Sequence, residues 1–218
     1  MKTEKALMSL LEWDHRGRYV YAKRDLAKLF QETITPAINS SKRASCKKGR
    51  HEIVSDSHLD NSQGNLGQGA TNEIATKENT LSQSLSRLVK KGILIRAARD
   101  AYVFAKSAHI DGTILEEIAA TLRRGEYTFE SLESALSQWG RISQIPVNRI
   151  TLMTTGRRGV YHTPFGTIEF THTTRPVEEI VANTIVRQGH PLPIASEDYA
   201  LKNLRSTRRS LDLVIEKG

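Results

Sequence analysis

The sequence predicts an α+β fold in two parts, a helical first part that ends in a β-hairpin and a second part that mixes helices and strands. Three observations lead to this prediction. Apolar residues recur at helical spacing three times in the first half. Short β-prone runs appear at 93–104 and again after Pro146. The excess positive charge is confined to residues 1–106. We therefore expect one domain over 1–106 and a second over 107–218.

The net charge of +8 comes entirely from the first of these domains. Residues 1–106 contain 19 Lys and Arg against 11 Asp and Glu, whereas residues 107–218 contain 13 of each. A charge excess in one domain is what phosphate binding requires, because neutralised phosphates release their counterions. Nucleic acid is therefore the favoured partner, and improved solubility is the alternative explanation.

Several classes of protein are disfavoured by composition. No run approaches the ~18 consecutive apolar residues of a membrane span. The opening segment MKTEKALMSLLEWDH lacks the apolar run and the cleavage site of a signal peptide. A single cysteine, Cys46, excludes an internal disulfide and a multi-cysteine zinc site. We expect a cytoplasmic protein that needs no membrane, metal or cofactor.

Two helices and a short β-prone patch open the chain. Residues 3–13 carry an apolar stripe at helical spacing, and residues 22–30 carry a second one. The patch Tyr19-Val20-Tyr21 lies between them. From about 31 to 75 the periodicity disappears, which predicts a flexible insertion. Its basic run 42–50 is either a phosphate contact or a solvated loop.

A third helix is predicted over 76–91, directly before a hairpin. It has one continuous apolar stripe, two lysines in its last turn and Gly92 at the expected C-cap. The runs 93–96 and 101–104 then form the two strands of the hairpin. The stripe residues are interpreted as core: Leu81, Leu85, Leu88 and Val89.

Three helices followed by a hairpin is the order of a winged helix-turn-helix, in which the third helix enters the major groove of DNA. Its non-apolar face is rich in hydroxyl, amide and guanidinium groups. Such groups pair with base edges and phosphates, whereas a solvated face usually mixes Glu with Lys. Candidate DNA-binding residues lie on this face, at the start of the second helix and around the hairpin turn. They are Lys23, Arg24, Lys77, Asn79, Thr80, Ser82, Gln83, Ser86, Arg87, Lys90, Arg96 and Arg99.

The second domain is predicted to combine helices with an antiparallel meander. Helical spacing appears in four segments and strand alternation in three. The helices are expected at 111–124, 131–139, 177–187 and 207–216, and the strands at 149–154, 160–163 and 167–171.

An enzymatic function of this domain is disfavoured. His162, Glu169 and His172 flank one hairpin and suggest a metal or acid/base site, but on alternating strands the two histidines need not share a face. The only cysteine lies in the insertion, so it is a poor candidate for a nucleophile. The motif Gly156-Arg157-Arg158-Gly159 is interpreted as a basic hairpin turn that could touch nucleic acid or an acidic partner.

Three stretches resemble the AbiEi family of antitoxins, which belong to type IV toxin–antitoxin and abortive infection systems. The stretch LSQSLSRLVKKGILIR at 81–96, followed by DAYVF, is similar to that family's recognition helix and wing. The second stretch, 127–142 with SLESAL at 131–136, is similar to the start of its antitoxin domain. The third is 149–175, with TPFGTIEFT at 163–171, and it is followed by IASEDYAL at 194–201, which resembles the segment that leads into the family's C-terminal helices. Residues 31–75 have no counterpart.

The resemblance implies a repressor that binds inverted repeats upstream of its own operon through the winged helix. The second domain would counteract a nucleotidyltransferase-type toxin, with or without direct contact. Two alternatives stay open. One is a general transcriptional regulator whose second domain senses a ligand or oligomerises. The other is an enzyme acting on nucleic acid through His162, Glu169 and His172.

Overall fold

The computed structural model describes residues 3–32, 68–142, 147–209 and 211–215, and for residues 31–32 and 68–78 the backbone alone. In these ranges the chain forms seven α-helices and two β-sheets. The predicted α+β class is confirmed. None of the helices in the described ranges is both long and apolar enough to cross a membrane.

Within the described residues, the first part contains three helices and a three-stranded antiparallel sheet with strand order β1-β3-β2. In chain order its elements are α1 (Thr3–Asp14), β1 (Val20–Ala22), α2 (Lys23–Glu32), α3 (Gln68–Lys90), β2 (Leu94–Ala98) and β3 (Ala101–Phe104). The start of α2 is fixed by Asp25, whose carboxylate accepts the Ala22 N–H at 3.1 Å. This is one half of a capping box.

The third helix follows the predicted pattern but begins earlier. Leu85 and Leu88 are buried. Gly92 has a φ of +65° and the Ile93 N–H donates to the Leu88 carbonyl at 3.0 Å, so a left-handed glycine ends the helix as expected. Residues 68–75, predicted as part of the insertion, are helical. These residues are mostly polar, so no helical spacing of apolar residues indicated a helix there. The backbone hydrogen bonds of a helix do not require such spacing. Residues 31–32 of the predicted insertion are the end of α2, and residues 33–67, with the basic run 42–50, lie outside the described residues.

The second part contains four helices, in the described ranges, and a six-stranded mixed sheet with strand order β6-β7-β5-β4-β9-β8. Its elements are α4 (Ile114–Leu122), β4 (Thr128–Glu130), α5 (Leu132–Gln138), β5 (Arg149–Thr154), β6 (Gly159–Thr163), β7 (Gly166–His172), α6 (Val177–Ala182), β8 (Thr184–Ile185), β9 (Ile194–Ala195), α7 (Glu197–Thr207) and a short 3-10 helix (Leu211–Leu213).

The predicted antiparallel meander is wrong. β6 and β7 do form an antiparallel hairpin, but β7 pairs with β5 in parallel. β7 therefore lies between β5 and β6. Ile168 and Phe170 of β7 are buried, whereas Val160 and His162 of β6 are exposed, so the more apolar strand takes the inner position. The link 155–158 is long enough to pass over one strand, since neighbouring strands are only ~4.8 Å apart.

Two helix predictions at the C-terminal end also fail. The segment 177–187 is helical only to Ala182 and then turns into β8. The predicted helix over 207–216 is absent from the described residues, because α7 occupies 197–207 and Arg208 ends it in the left-handed conformation with a φ of 53°. Ser196 precedes two acidic residues, a pattern that favours the start of a helix at the beginning of α7.

The hydrophobic side chains form two clusters. The larger one includes Leu26 of α2, Leu85 of α3 and Phe104 of β3, together with Ile118 of α4 and Phe170 of β7. It therefore draws side chains from both sides of residue 106. The smaller cluster joins α5, α7 and the β4–β9 region. The division into domains at residue 106 stays a prediction.

Candidate nucleic-acid interface

In the part of α3 whose side chains the structure describes, residues 79–90, one face is exposed, polar and free of carboxylates. Over residues 79–90, where side chains are described, the sequence contains no Asp or Glu. The buried Leu85 and Leu88 anchor the opposite side of the helix in the larger cluster. The exposed set comprises Asn79, Thr80, Ser82, Gln83, Ser86, Arg87 and Lys90. All seven were predicted from the sequence. The eighth, Lys77, belongs to α3, but its side chain lies outside the described residues.

The cations on this face are available to a partner. Within the described residues, neither the Arg87 guanidinium nor the Lys90 ammonium has a hydrogen bond or an ion pair. The Ser86 hydroxyl donates to the Ser82 carbonyl at 2.9 Å, which leaves its lone pairs free. Gln83 is exposed between these groups. The face thus presents an amide, hydroxyls and two positive charges in one row.

The beginning of α2 lies beside the turn between β2 and β3. The Lys23 N–H donates to the Asp100 carbonyl at 2.9 Å. The Lys23 side chain is half-buried and that of Arg24 is exposed. The hydrogen bond therefore brings the two predicted cations of α2 next to the hairpin turn.

The hairpin turn itself carries two exposed arginines. Arg96 makes two long hydrogen bonds, to the carbonyls of Ala98 and Arg99, each at 3.4 Å. The Arg99 side chain has no hydrogen bond or ion pair among the described residues. Arg96 is thus folded over the turn, while Arg99 is exposed and has no partner within the part of the chain that the structure describes. Both positions agree with the exposure expected of wing residues.

An ion pair missed by the sequence analysis fixes the start of α2. Asp25 is buried and accepts both terminal nitrogens of Arg124, at 2.8 and 2.9 Å, and one nitrogen of Arg18 at 2.9 Å. Burial alone would raise the pKa of Asp25, but these hydrogen bonds and charges, with the Ala22 N–H, hold that pKa below its usual value. Since Asp25 and Arg124 are 99 residues apart, no local pattern could indicate the pair.

The structure does not bring His162, Glu169 and His172 together as one site. Glu169 is engaged by the guanidinium groups of Arg149 and Arg209. Burial opposes ionisation of Glu169, but hydrogen bonds from Arg209 and Arg149 outweigh it and lower its pKa. His172 is on the opposite face of β7 and its Nδ1 lies 2.8 Å from the Gly156 carbonyl. His162 contacts Thr167 at 3.3 Å.

No cluster of three or more His, Cys, Asp or Glu residues suited to a metal ion occurs in the described part of the chain. No family model, curated protein or solved structure matches this sequence. The functional assignment therefore depends on the geometry above, and the AbiEi resemblance stays an expectation.

Proposed function

We propose that the protein is a sequence-specific DNA-binding regulator in which α3 is the recognition helix of a winged helix-turn-helix. The observation that carries this proposal is the exposed face of α3, where residues 79–90 combine amide, hydroxyl and guanidinium groups with no carboxylate. Asn and Gln pair with adenine edges and Arg pairs with guanine in the major groove. Because a solvated helix face normally mixes acidic with basic residues, simple solvation accounts poorly for this one.

The order of the elements supports the same proposal. Helices α1, α2 and α3 precede the hairpin of β2 and β3, and β1 completes the small sheet. In a winged helix the hairpin reaches a phosphate or the adjoining minor groove, which is a role that the exposed Arg99 fits. The stretch 79–90 is about 16 Å long at ~1.5 Å per residue. That length matches about five base pairs at ~3.4 Å each.

A gel-shift titration tests this proposal. The full chain is titrated onto DNA from upstream of its own gene and onto a scrambled duplex of equal composition, at two salt concentrations. A specific regulator prefers the native duplex by about 10³-fold or more. Weak, salt-sensitive binding of equal strength to both duplexes would contradict sequence-specific recognition and leave only phosphate contacts.

We further propose that this regulator is the antitoxin of a type IV toxin–antitoxin operon and represses that operon at inverted repeats. Support comes from the resemblance to AbiEi antitoxins at 81–104, 127–142, 149–175 and 194–201. Co-expression with a neighbouring nucleotidyltransferase-type gene tests it. Restored growth supports the antitoxin role, and continued arrest by an active toxin contradicts it.

A general regulator whose second part senses a ligand is the second candidate. It is favoured by one specific observation, an open cavity at the turn between β5 and β6. Cationic and hydroxyl-bearing side chains and the carboxylate of Glu126 line it. The two candidates share the DNA-binding role of α3 and differ in what the second part recognises.

A further inference from the structure

The turn that connects β5 to β6 borders an open cavity of about 840 Å³. This volume falls within the range of ~300–1,000 Å³ that is typical of small-molecule sites. The lining residues are of polar or charged types and come from three separate stretches of chain: Glu126, Thr155, Arg157, Arg158, Thr171 and His172. The two arginines were predicted as a basic turn, whereas the cavity beside them depends on residues that are far apart in the sequence.

The backbone of this turn is held in place from inside the protein. Arg123 donates twice to the Arg157 carbonyl, at 3.1 and 2.8 Å. The Gly156 N–H donates to the Thr154 hydroxyl at 3.1 Å. A Cβ atom at Gly156 would lie only 2.9 Å from Cγ of Glu126, so the glycine allows close packing there. The turn is therefore a built feature and not a solvated loop.

The fixed backbone presents unused cations to the cavity. Arg157 and Arg158 are both exposed, and their guanidinium groups have no hydrogen bond or ion pair within the described residues. The Gly156 carbonyl accepts from Nδ1 of His172 at 2.8 Å, so that nitrogen carries the proton and Nε2 is left for another partner. Paired guanidinium groups match the oxygen spacing of a phosphate.

A carboxylate in the same wall indicates which kind of phosphate compound fits. Glu126 accepts the Thr155 hydroxyl at 3.0 Å and retains further lone pairs. A carboxylate repels the continuous phosphates of a nucleic-acid backbone, whereas it accepts hydrogen bonds from the hydroxyl groups of a sugar.

We propose that this cavity binds a small phosphorylated ligand with free hydroxyl groups, of the sugar phosphate or nucleoside monophosphate class. Arg157 and Arg158 bind the phosphate, and Glu126 accepts from the ligand's hydroxyl groups. The site is separate from the exposed face of α3, so it stands whether or not the chain binds DNA.

Isothermal titration calorimetry of the full chain with ribose 5-phosphate tests this site, with ribose and inorganic phosphate as comparison ligands. We expect saturable binding of ribose 5-phosphate that is about tenfold or more weaker in the double variant Arg157→Ala/Arg158→Ala. The control variant Arg205→Ala/Arg208→Ala also removes two exposed arginines, on and just after α7, and should bind like the wild type. Glu126→Gln should weaken the binding of ribose 5-phosphate but not that of inorganic phosphate.

Four results would overturn the proposal. The first is no saturable binding at millimolar ribose 5-phosphate, and the second is an equal loss of ribose 5-phosphate affinity in the Arg205/Arg208 control. The third is equal affinity of the wild type for ribose 5-phosphate and inorganic phosphate. The fourth is a loss of duplex binding in the Arg157/Arg158 variant while the wild type binds no sugar phosphate. The last result would assign the turn to nucleic acid.

Discussion

The two parts of the molecule use their arginines differently. Several arginines of the second part are held by buried or half-buried carboxylates, as in the pairs Arg187–Glu130, Arg209–Glu133 and Arg141–Glu197. Arg157 and Arg158 of the β5–β6 turn are exceptions, with no such partner among the described residues. On α3, Arg87 is exposed and has no such partner among the described residues. The same side chain thus stabilises the fold where carboxylates surround it, and is available for recognition where they are missing.

The charge of the two halves differs as well: residues 107–218 contain 13 Lys and Arg and 13 Asp and Glu, whereas residues 1–106 contain 19 and 11. Surface cations without partners add little to stability. Substitution of an arginine that is paired with a buried carboxylate should therefore lower the free energy of unfolding, whereas substitution of Arg87 on α3 should lower the affinity for DNA.

The largest effect is expected at Arg187, which lies 2.7 Å from Glu130 and 3.5 Å from Glu116. Both carboxylates are buried, and burial is the main reason that the pKa of Glu130 is raised. Arg187→Ala removes their shared cation and should lower the free energy of unfolding by about 3–5 kcal/mol. Urea denaturation measures this loss. The matched variant Arg87→Ala should have a free energy of unfolding within about 0.5 kcal/mol of the wild-type value. A loss of stability in Arg87→Ala as large as in Arg187→Ala would contradict the distinction between paired and unpaired arginines.

Base recognition by α3 is expected to give the next largest effect. Arg87→Ala and Gln83→Ala should each weaken binding to the native operator by about 1–3 kcal/mol, because each removes hydrogen bonds to a base edge. Fluorescence anisotropy with operator and scrambled duplexes measures the two affinities. Equal losses on both duplexes would mean that these side chains contact phosphates instead of bases.

The Asp25 ion pair should make stability depend on acid pH. Its pKa is lower in the folded protein than in the unfolded chain, so its stabilisation is complete above the unfolded value of ~3.9 and is lost as pH falls through the folded value. Asp25→Asn should cost about 1–2 kcal/mol at neutral pH. The difference from wild type should shrink as the medium becomes acidic. Asp100→Asn, at an exposed position, is the control, and a pH-independent difference for Asp25→Asn would contradict the ion-pair account.

The hairpin arginines should give the smallest effect. Arg96→Ala or Arg99→Ala should weaken binding to all duplexes by the same factor. Each should also lower the slope of log affinity against log salt by about one unit. Titrations at several salt concentrations provide that slope. A loss limited to one duplex sequence would instead assign these residues to base contacts.

Local patterns predicted the first part better than the second. The stripe and the Gly92 cap of α3 are encoded within a few residues, and both were confirmed. The insertion of β7 between β5 and β6 depends on competition among strands for the interior, which alternation alone does not reveal. The cavity at Arg157 and the Asp25–Arg124 pair arise from residues far apart in the chain, so only the fold brings them together.

The central claim is that the exposed face of α3 binds DNA while the paired arginines of the second part do not. Backbone amide NMR spectra of the labelled chain, recorded with and without operator duplex, test this claim residue by residue. We expect the largest shift changes at residues 79–90 and 96–101, with Arg187 and Arg209 unaffected. Changes centred on the second sheet, with α3 unperturbed, would contradict the account.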